Sequence, residues 1–573
     1  MTITLGINSV YHESSAAIMR NGKLIAAIEE ERFNRIKHGK SATIESAAKL
    51  PYASIDWCLA QAGVRISEVD AIGLSFEPEK RVEAISLVKE ETIPGEWGHP
   101  DGEMRFVENV KSIPEVLCQH YGRDLEKKIH WVNHHICHLA SAFYPSPFQE
   151  AAVLSVDGIG QHETLSLAHG KDRQLKILDQ VMYPHSIGFL WEKFCKYLAL
   201  TDYDACKVMS LATFGDPNVF RSQFDKFVTT TQDGQFQLNN DILKFRSEDY
   251  SPMEDLFKVT RRTGKEEGYG QEYLDMCATL QSITSSLLVS MGRRLKEETG
   301  SKYLCMAGGV ALNCVANHEL IVDGLFEDIF VQPAAHDAGT AIGAAARLSA
   351  KYDDHQTSWT MDHAFTGTSF TDAEIRDALD KRGLKYEKQA NIGKPVAKMI
   401  SKGNIVAWFQ GACEFGPRAL GHRSILADPR NPVSRKRIDT GIKFRDSYRP
   451  YAPSMLADKM DEWFKVENAV HATRFMCIVY YIQDDKKDVV PSILHIDGSS
   501  RVHAVHRDMD ARYYDMISEF EKETGVPILL NTSLNSKAPI VQSPDEAIEL
   551  FLRTDIDALA ISDYLVVKNE QTV

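Results

Sequence analysis

Three histidines stand within five positions of one another in "WVNHHICHLASAFY", residues 131–144. On a helix His134 and His138 lie one turn apart on one face, the spacing that lets two imidazoles bind one divalent cation, while His135 points elsewhere. Alone, the motif favours a plainer reading, a partly buried helix whose histidines make ordinary hydrogen bonds. Two acidic turns change that balance. Asp157 ends the apolar run "AVLSVD", and Asp337 sits in "AAHDAGTAIGAAA", where small residues open a helix. Each aspartate alone is more often a cap or turn residue. With the histidines they make two nitrogens and two carboxylate oxygens, a donor set that suits iron, manganese or zinc and leaves positions for water or substrate.

Other stretches could also do chemistry. "MAGGVALN", residues 306–313, sets Gly308 and Gly309 between a strand and a helix, where backbone N–H groups can approach a phosphate or nucleotide; a plain tight turn is the alternative. His12 and Glu13 end the first strand, and His12 could serve as a base. "ERFNRIKHGK" then supplies Arg32, Arg35, Lys37 and His38, or forms a solvated charged face. "GACEFGPRALGHRSILADPR", residues 411–430, gathers Gly411, Gly416 and Gly421 around Arg418 and Arg423; arginine forks bind phosphate or carboxylate at two points. Lys443, Arg445 and Arg449 enlarge this positive group, and Asn531, Thr532 and Ser533 form a polar strand end. Such density in an acidic chain favours an anion site.

These residues need elements to hold them. A strand, a polar turn and a hairpin closed by Asn21-Gly22 open the chain, and the same order recurs at 151–181 after the turn Asp157-Gly158. Two copies predict a duplicated α/β unit with its polar turns facing across a cleft, as in actin-like ATPases. Helical periodicity spans 271–299 with Gly300 as C-cap. The expected division is a first domain over 1–352, a linker over 353–365 and a second α/β domain over 366–573.

At 573 residues two domains are the default. The net charge of −15 argues against a general polyanion binder, so no nucleic-acid partner is expected. The N-terminus lacks the pattern of a secretory signal and no apolar run reaches membrane-spanning length, so a cytoplasmic location without membrane association is expected. Ten scattered cysteines, none in a CxxC pair, read as free and mostly buried thiols.

Taken in order, "HESSAAI", "EEERFNRIKHG", "NHHICHLASAFY", "VDGIGQHET", "AGGVALN", "HDAGTAIGAA", "EFGPRALGHRSILADPR", "YRPYAPSM" and "LNTSLN" resemble the NodU/CmcH-type O-carbamoyltransferases nearly end to end. The resemblance implies a first domain like the tRNA threonylcarbamoyl transferases of the actin-like superfamily and a second like the threonylcarbamoyl-adenylate synthases. It further implies that carbamate from carbamoyl phosphate is joined to ATP, with Mg, as carbamoyl adenylate. An Fe(II)-type centre then serves transfer of the carbamoyl group to a small-molecule alcohol, such as an antibiotic. By that match His134, His138, Asp157 and Asp337 are metal ligands, and His12 and Lys37 are active-site residues. Gly308, Gly309, Asn313, Arg418, Lys443, Arg449, Arg501, Asn531 and Ser533 match nucleotide-pocket positions. Residues 76–128 carry none of the motifs and are the expected place for acceptor selection. A tRNA-modifying enzyme or an actin-like sugar kinase would share the first domain; the acidic balance opposes one, and the Arg- and Gly-rich second domain the other.

Overall fold

The computed structural model describes residues 1–85, 93–231, 235–264, 268–352, 359–466 and 471–571. It divides the chain into two compact units, one of residues 1–30 and 38–360, the other of residues 31–37 and 361–573. The short excursion 31–37 distinguishes this division from the continuous first domain expected over 1–352. Of the expected linker, residues 353–358 lie outside the described residues, as do residues 86–92 of the region expected to select the acceptor.

The first unit holds two five-stranded sheets of one topology. In the first, Ile3–Asn8 pairs antiparallel with Ser15–Arg20, which pairs antiparallel with Lys23–Glu29. Ala71–Leu74 and Ile129–Trp131 extend the other side in parallel. In the second, Glu150–Val156, Glu163–Lys171 and Gln174–Met182 repeat the antiparallel meander, and Tyr303–Ala307 and Asp328–Val331 repeat the parallel extension. The duplicated α/β unit expected from the sequence is therefore present. Its hairpin turns are specified locally: Asn21 and Gly22 both take positive φ, as do Asp172 and Arg173 in the second copy.

Each copy ends in a helix that packs on the other copy's sheet. His134–Phe143 follows the first sheet and lies against strands of the second; Gly339–Tyr352 follows the second and lies against strands of the first. The two helices pack against each other. A Cβ at Gly343 would fall 1.8 Å from the carbonyl oxygen of Cys137, so only glycine permits this approach. The small residues of "AGTAIGAAA" thus bring two distant segments within bonding range.

The helix Gln271–Thr299 closes at Gly300 in the left-handed conformation, as expected. In the second unit an eight-stranded mixed sheet has Val406–Phe409, Arg423–Ala427, Ile528–Ser533 and Ala452–Leu456 as neighbouring central strands, and Phe464–Lys465, Val479–Ile482 and Ser499–Arg501 form a smaller sheet. All ten cysteines are unpaired, with Cys118 and Cys206 partly exposed and the rest buried. Among the described residues no helix is long and apolar enough to cross a membrane.

Candidate active site

His134 opens its helix behind the cap Asn133, whose side chain accepts from the Ile136 N–H at 3.0 Å. One turn on, His138 faces the same way, and the two Nε2 atoms stand 3.1 Å apart. Asp157, just past the strand Glu150–Val156, and Asp337, just before the helix Gly339–Tyr352, complete the group. Their Oδ2 and Oδ1 lie 3.5 to 3.7 Å from the two Nε2 atoms. Donors bound at about 2.1 Å to one ion stand roughly 3.0 to 3.4 Å apart, so these four atoms fit a divalent metal with little movement. All four side chains are buried. His135 turns away, toward the Ser166 hydroxyl at 3.0 Å.

Supporting contacts orient the donors. His134 Nδ1 lies 3.2 Å from the Ser75 carbonyl, which fixes the proton on Nδ1 and leaves Nε2 as the ligating nitrogen. Asp157 Oδ1 accepts from the Gly309 N–H at 2.8 Å, leaving Oδ2 for the centre. Burial disfavours charge on His134, yet the Asp337 and Asp157 carboxylates overcome it and push the imidazole up to about 10. Burial and the neighbouring Asp157 push Asp337 up, but His134 and His12 outweigh them and hold it below the usual carboxylate range. Two buried carboxylates facing two imidazoles favour positive charge at their centre.

The phosphate cradle expected at "AGGVALN" is otherwise employed. Gly309 N–H holds Asp157, Gly308 N–H donates to the Ala335 carbonyl at 2.8 Å, and Asn313 caps the helix Cys314–Val322 while exchanging hydrogen bonds with Gln281. These groups support the His/Asp cluster, because the turn packs its Gly308 backbone where a Cβ would meet the Val156 carbonyl at 2.2 Å.

His12 lies in the loop after the first strand, edge-on to the Tyr203 ring at 5.4 Å. Sequence reasoning gave its neighbour Glu13 no role. Glu13 takes φ of 54°, and its Oε1 lies 2.5 Å from His38 Nδ1 while Oε2 is 4.0 Å from His336 Nδ1. Burial alone would raise this carboxyl; His336 and His38 hold it down at about 2. A left-handed non-glycine residue beside three histidines is not visible in spacing, although "HE" before a hairpin was a signal. Tyr11 meets the His134 ring edge-on at 6.3 Å and stacks on Phe106, which neighbours Trp97, so Tyr11 stands between the His/Asp cluster and these two aromatic residues of 76–128.

Lys37, expected with His12 as an active-site residue, is grouped with the second unit, and its charge acts on Lys443. Arg32 and Arg35 are anchors rather than a solvated face: Arg32 is buried and donates to the Gly416 carbonyl at 2.8 Å, and Arg35 clasps the Pro539 and Ile540 carbonyls.

In the second unit Lys443 Nζ donates to the Ser533 carbonyl at 2.5 Å, its hydroxyl at 3.2 Å and Asn535 Oδ1 at 2.7 Å. Burial, then Arg445, Arg449 and Lys37, hold this amine well below the usual lysine range. Asn531, on the same strand as Ser533, donates to the Ala419 carbonyl at 2.9 Å beside Arg418. Among the described residues Arg418 makes no hydrogen bond or ion pair and has a buried Nε without a partner, so its fork is available to an anion. Arg501 stands on the smaller sheet. Two arginines of the expected group are structural instead. Arg423 is buried 3.6 Å over the Phe409 ring and bonded to backbone carbonyls; Arg445 binds Asp439 at 3.3 Å. Asn535 was missed, although it lies two residues beyond Ser533 in the same polar run. A cavity of about 300 Å³ is lined by Trp408, Gln410, His422, Asp510 and Arg512 together with Gly411 of the expected glycine-rich group.

The carbamoyltransferase N-terminus family model matches residues 3–346, and the carbamoyltransferase C-terminus model matches residues 397–568. An uncharacterized Synechocystis protein is 34% identical over all of this chain and 97% of its own. Nodulation protein NolNO of Sinorhizobium fredii is 35% identical over 98% of this chain and 80% of its own, and nodulation protein NolO of Bradyrhizobium diazoefficiens is 36% identical over 76% and 79%. Among solved structures, the (R)-2-hydroxyglutaryl-CoA dehydratase component A of Acidaminococcus fermentans aligns with 61% of this chain and 99% of its own, at 16% identity and a TM-score of 0.33. The chain belongs to the carbamoyltransferase family.

Proposed function

We propose that this transferase carbamoylates a hydroxyl group of a small-molecule acceptor, with ATP and carbamoyl phosphate as co-substrates and carbamoyl adenylate as intermediate. The convergence of His134, His138, Asp157 and Asp337 in a carbamoyltransferase-family chain is the observation that carries this reading. Water cleaves carbamoyl phosphate to carbamate and phosphate. A carbamate oxygen then attacks the α-phosphorus of ATP, the bond to the β-phosphate oxygen breaks, and pyrophosphate leaves. Arg418 grips the developing phosphate charge with its uncommitted fork, and Lys443, Arg449 and Lys37 supply the surrounding positive field. Asn531 and Ser533 border the same strand end.

In the second step the acceptor oxygen attacks the carbamoyl carbon, AMP departs, and His12 takes the hydroxyl proton. A divalent ion such as Fe(II), held by the two imidazoles and two carboxylates, supplies Lewis acidity for this step when bound. Ser75 and Gly309 keep the ligating atoms aimed, while Tyr11, Trp97 and Phe106 present an aromatic wall beside them.

Purified protein given ATP, carbamoyl phosphate and a panel of hydroxylated small molecules should yield pyrophosphate and an alcohol heavier by one carbamoyl group, read by mass spectrometry. Formation of ADP with a phosphorylated alcohol would instead identify a kinase.

A further inference from the structure

We infer that Phe444 is the stacking platform for the purine base of a nucleoside triphosphate bound in the second unit, an inference that rests on the adenylation proposed above. The helix Pro432–Ile438 runs into a π-helical turn, Asp439–Lys443, and stops at Phe444 with φ of 48°. A left-handed helix end is normally given to glycine or asparagine, because a bulky side chain there is strained.

Both neighbours of Phe444 are pinned. Lys443 is buried and bonded to Ser533 and Asn535. Arg445 binds Asp439 and lies 4.0 Å over the Tyr451 ring, whose hydroxyl donates to the same Asp439 carboxylate at 2.6 Å. The backbone is therefore held from either side, and Phe444 is displayed to solvent with 54% of its surface exposed. Strain and an exposed aromatic ring together bring no packing gain. π-Bulges and left-handed non-glycine residues that persist in this way mark functional positions.

The surroundings select the occupant. Lys443 lies under the combined charge of Arg445, Arg449 and Lys37, a field that attracts a triphosphate. A triphosphate held there carries its flat, apolar base at one end, and the flat apolar surface displayed one residue past Lys443 is Phe444. Base–aromatic stacking tolerates any base but contributes strongly to affinity.

The test is calorimetric titration of the full-length protein with ATP and, separately, with inorganic tripolyphosphate. Phe444→Ala should bind ATP about ten- to a hundredfold more weakly while binding tripolyphosphate as wild type does, and Phe444→Tyr should keep wild-type affinity for both. An ATP affinity in Phe444→Ala within about twofold of wild type would overturn the inference. So would a parallel loss of both ligands, which would make Phe444 a support for the loop. Wild-type protein that bound tripolyphosphate but discriminated against ATP would also overturn it. Wild-type protein that bound neither would overturn the adenylation reading itself.

Discussion

The buried cluster of the first unit and the cationic group of the second carry opposite excesses of charge. In the first, two buried carboxylates face two imidazoles, and Asp337 and Asp157 outweigh burial to push His134 up to about 10. In the second, burial and then the charges of Arg445, Arg449 and Lys37 hold Lys443 well below the usual lysine range. The first arrangement gains from a cation, the second from an anion. The difference teaches that the two proposed half-reactions have separable electrostatic requirements, and it can be attacked from either side.

The largest effect is expected at the proposed metal site. His138→Ala removes a donor and leaves two buried carboxylates short of a partner, so bound divalent metal should be lost and carbamoyl transfer should fall by more than about a thousandfold. Pyrophosphate release should persist. Elemental analysis beside pyrophosphate and product assays reads all three, and equal loss of both activities in a folded variant would merge the two sites into one.

Arg418→Ala should act in the opposite sense. Removal of its uncommitted fork should cost adenylation roughly 2 to 4 kcal/mol of transition-state stabilisation, about 30- to 1,000-fold in pyrophosphate release. Metal content should not change, and presynthesised carbamoyl adenylate should restore product in this variant but not in His138→Ala. Persistent pyrophosphate release would remove Arg418 from the site.

The smallest effect is a fraction of a proton. Anion binding favours charged Lys443, whose value is depressed in the free protein, so binding should raise that value and take up protons from solution. Affinity for pyrophosphate should accordingly weaken as pH rises through the depressed lysine value. Titration in two buffers of different ionisation enthalpy measures the uptake, and proton release on binding would reverse the assignment of Lys443.

Much of this was legible in the chain. His134 and His138 owe their shared face to a four-residue spacing, which a helix converts directly into proximity. The Asn21-Gly22 turn and the Gly300 cap are equally local, because each needs only a residue that accepts positive φ. Other residues were read by type and placed differently by the fold. Arg32, Arg35 and Arg423 carry the charge of anion ligands, yet each spends it on backbone carbonyls of the second unit. Gly308 and Gly309 offered N–H groups to phosphate, yet Ala335 and Asp157 take them.

The sequence by itself determined the donor types, their local spacing, the duplicated meander and the acidic balance around a basic patch, since all of these are set within one turn or one hairpin. Only the tertiary structure decided that Asp337 meets His134, that residues 31–37 belong to the second unit and that Glu13 gathers His38 and His336. Those contacts join residues as far apart in the chain as Glu13 and His336. They depend on which faces bury together, and on whether a glycine such as Gly343 lets two helices approach, rather than on any local preference of the chain.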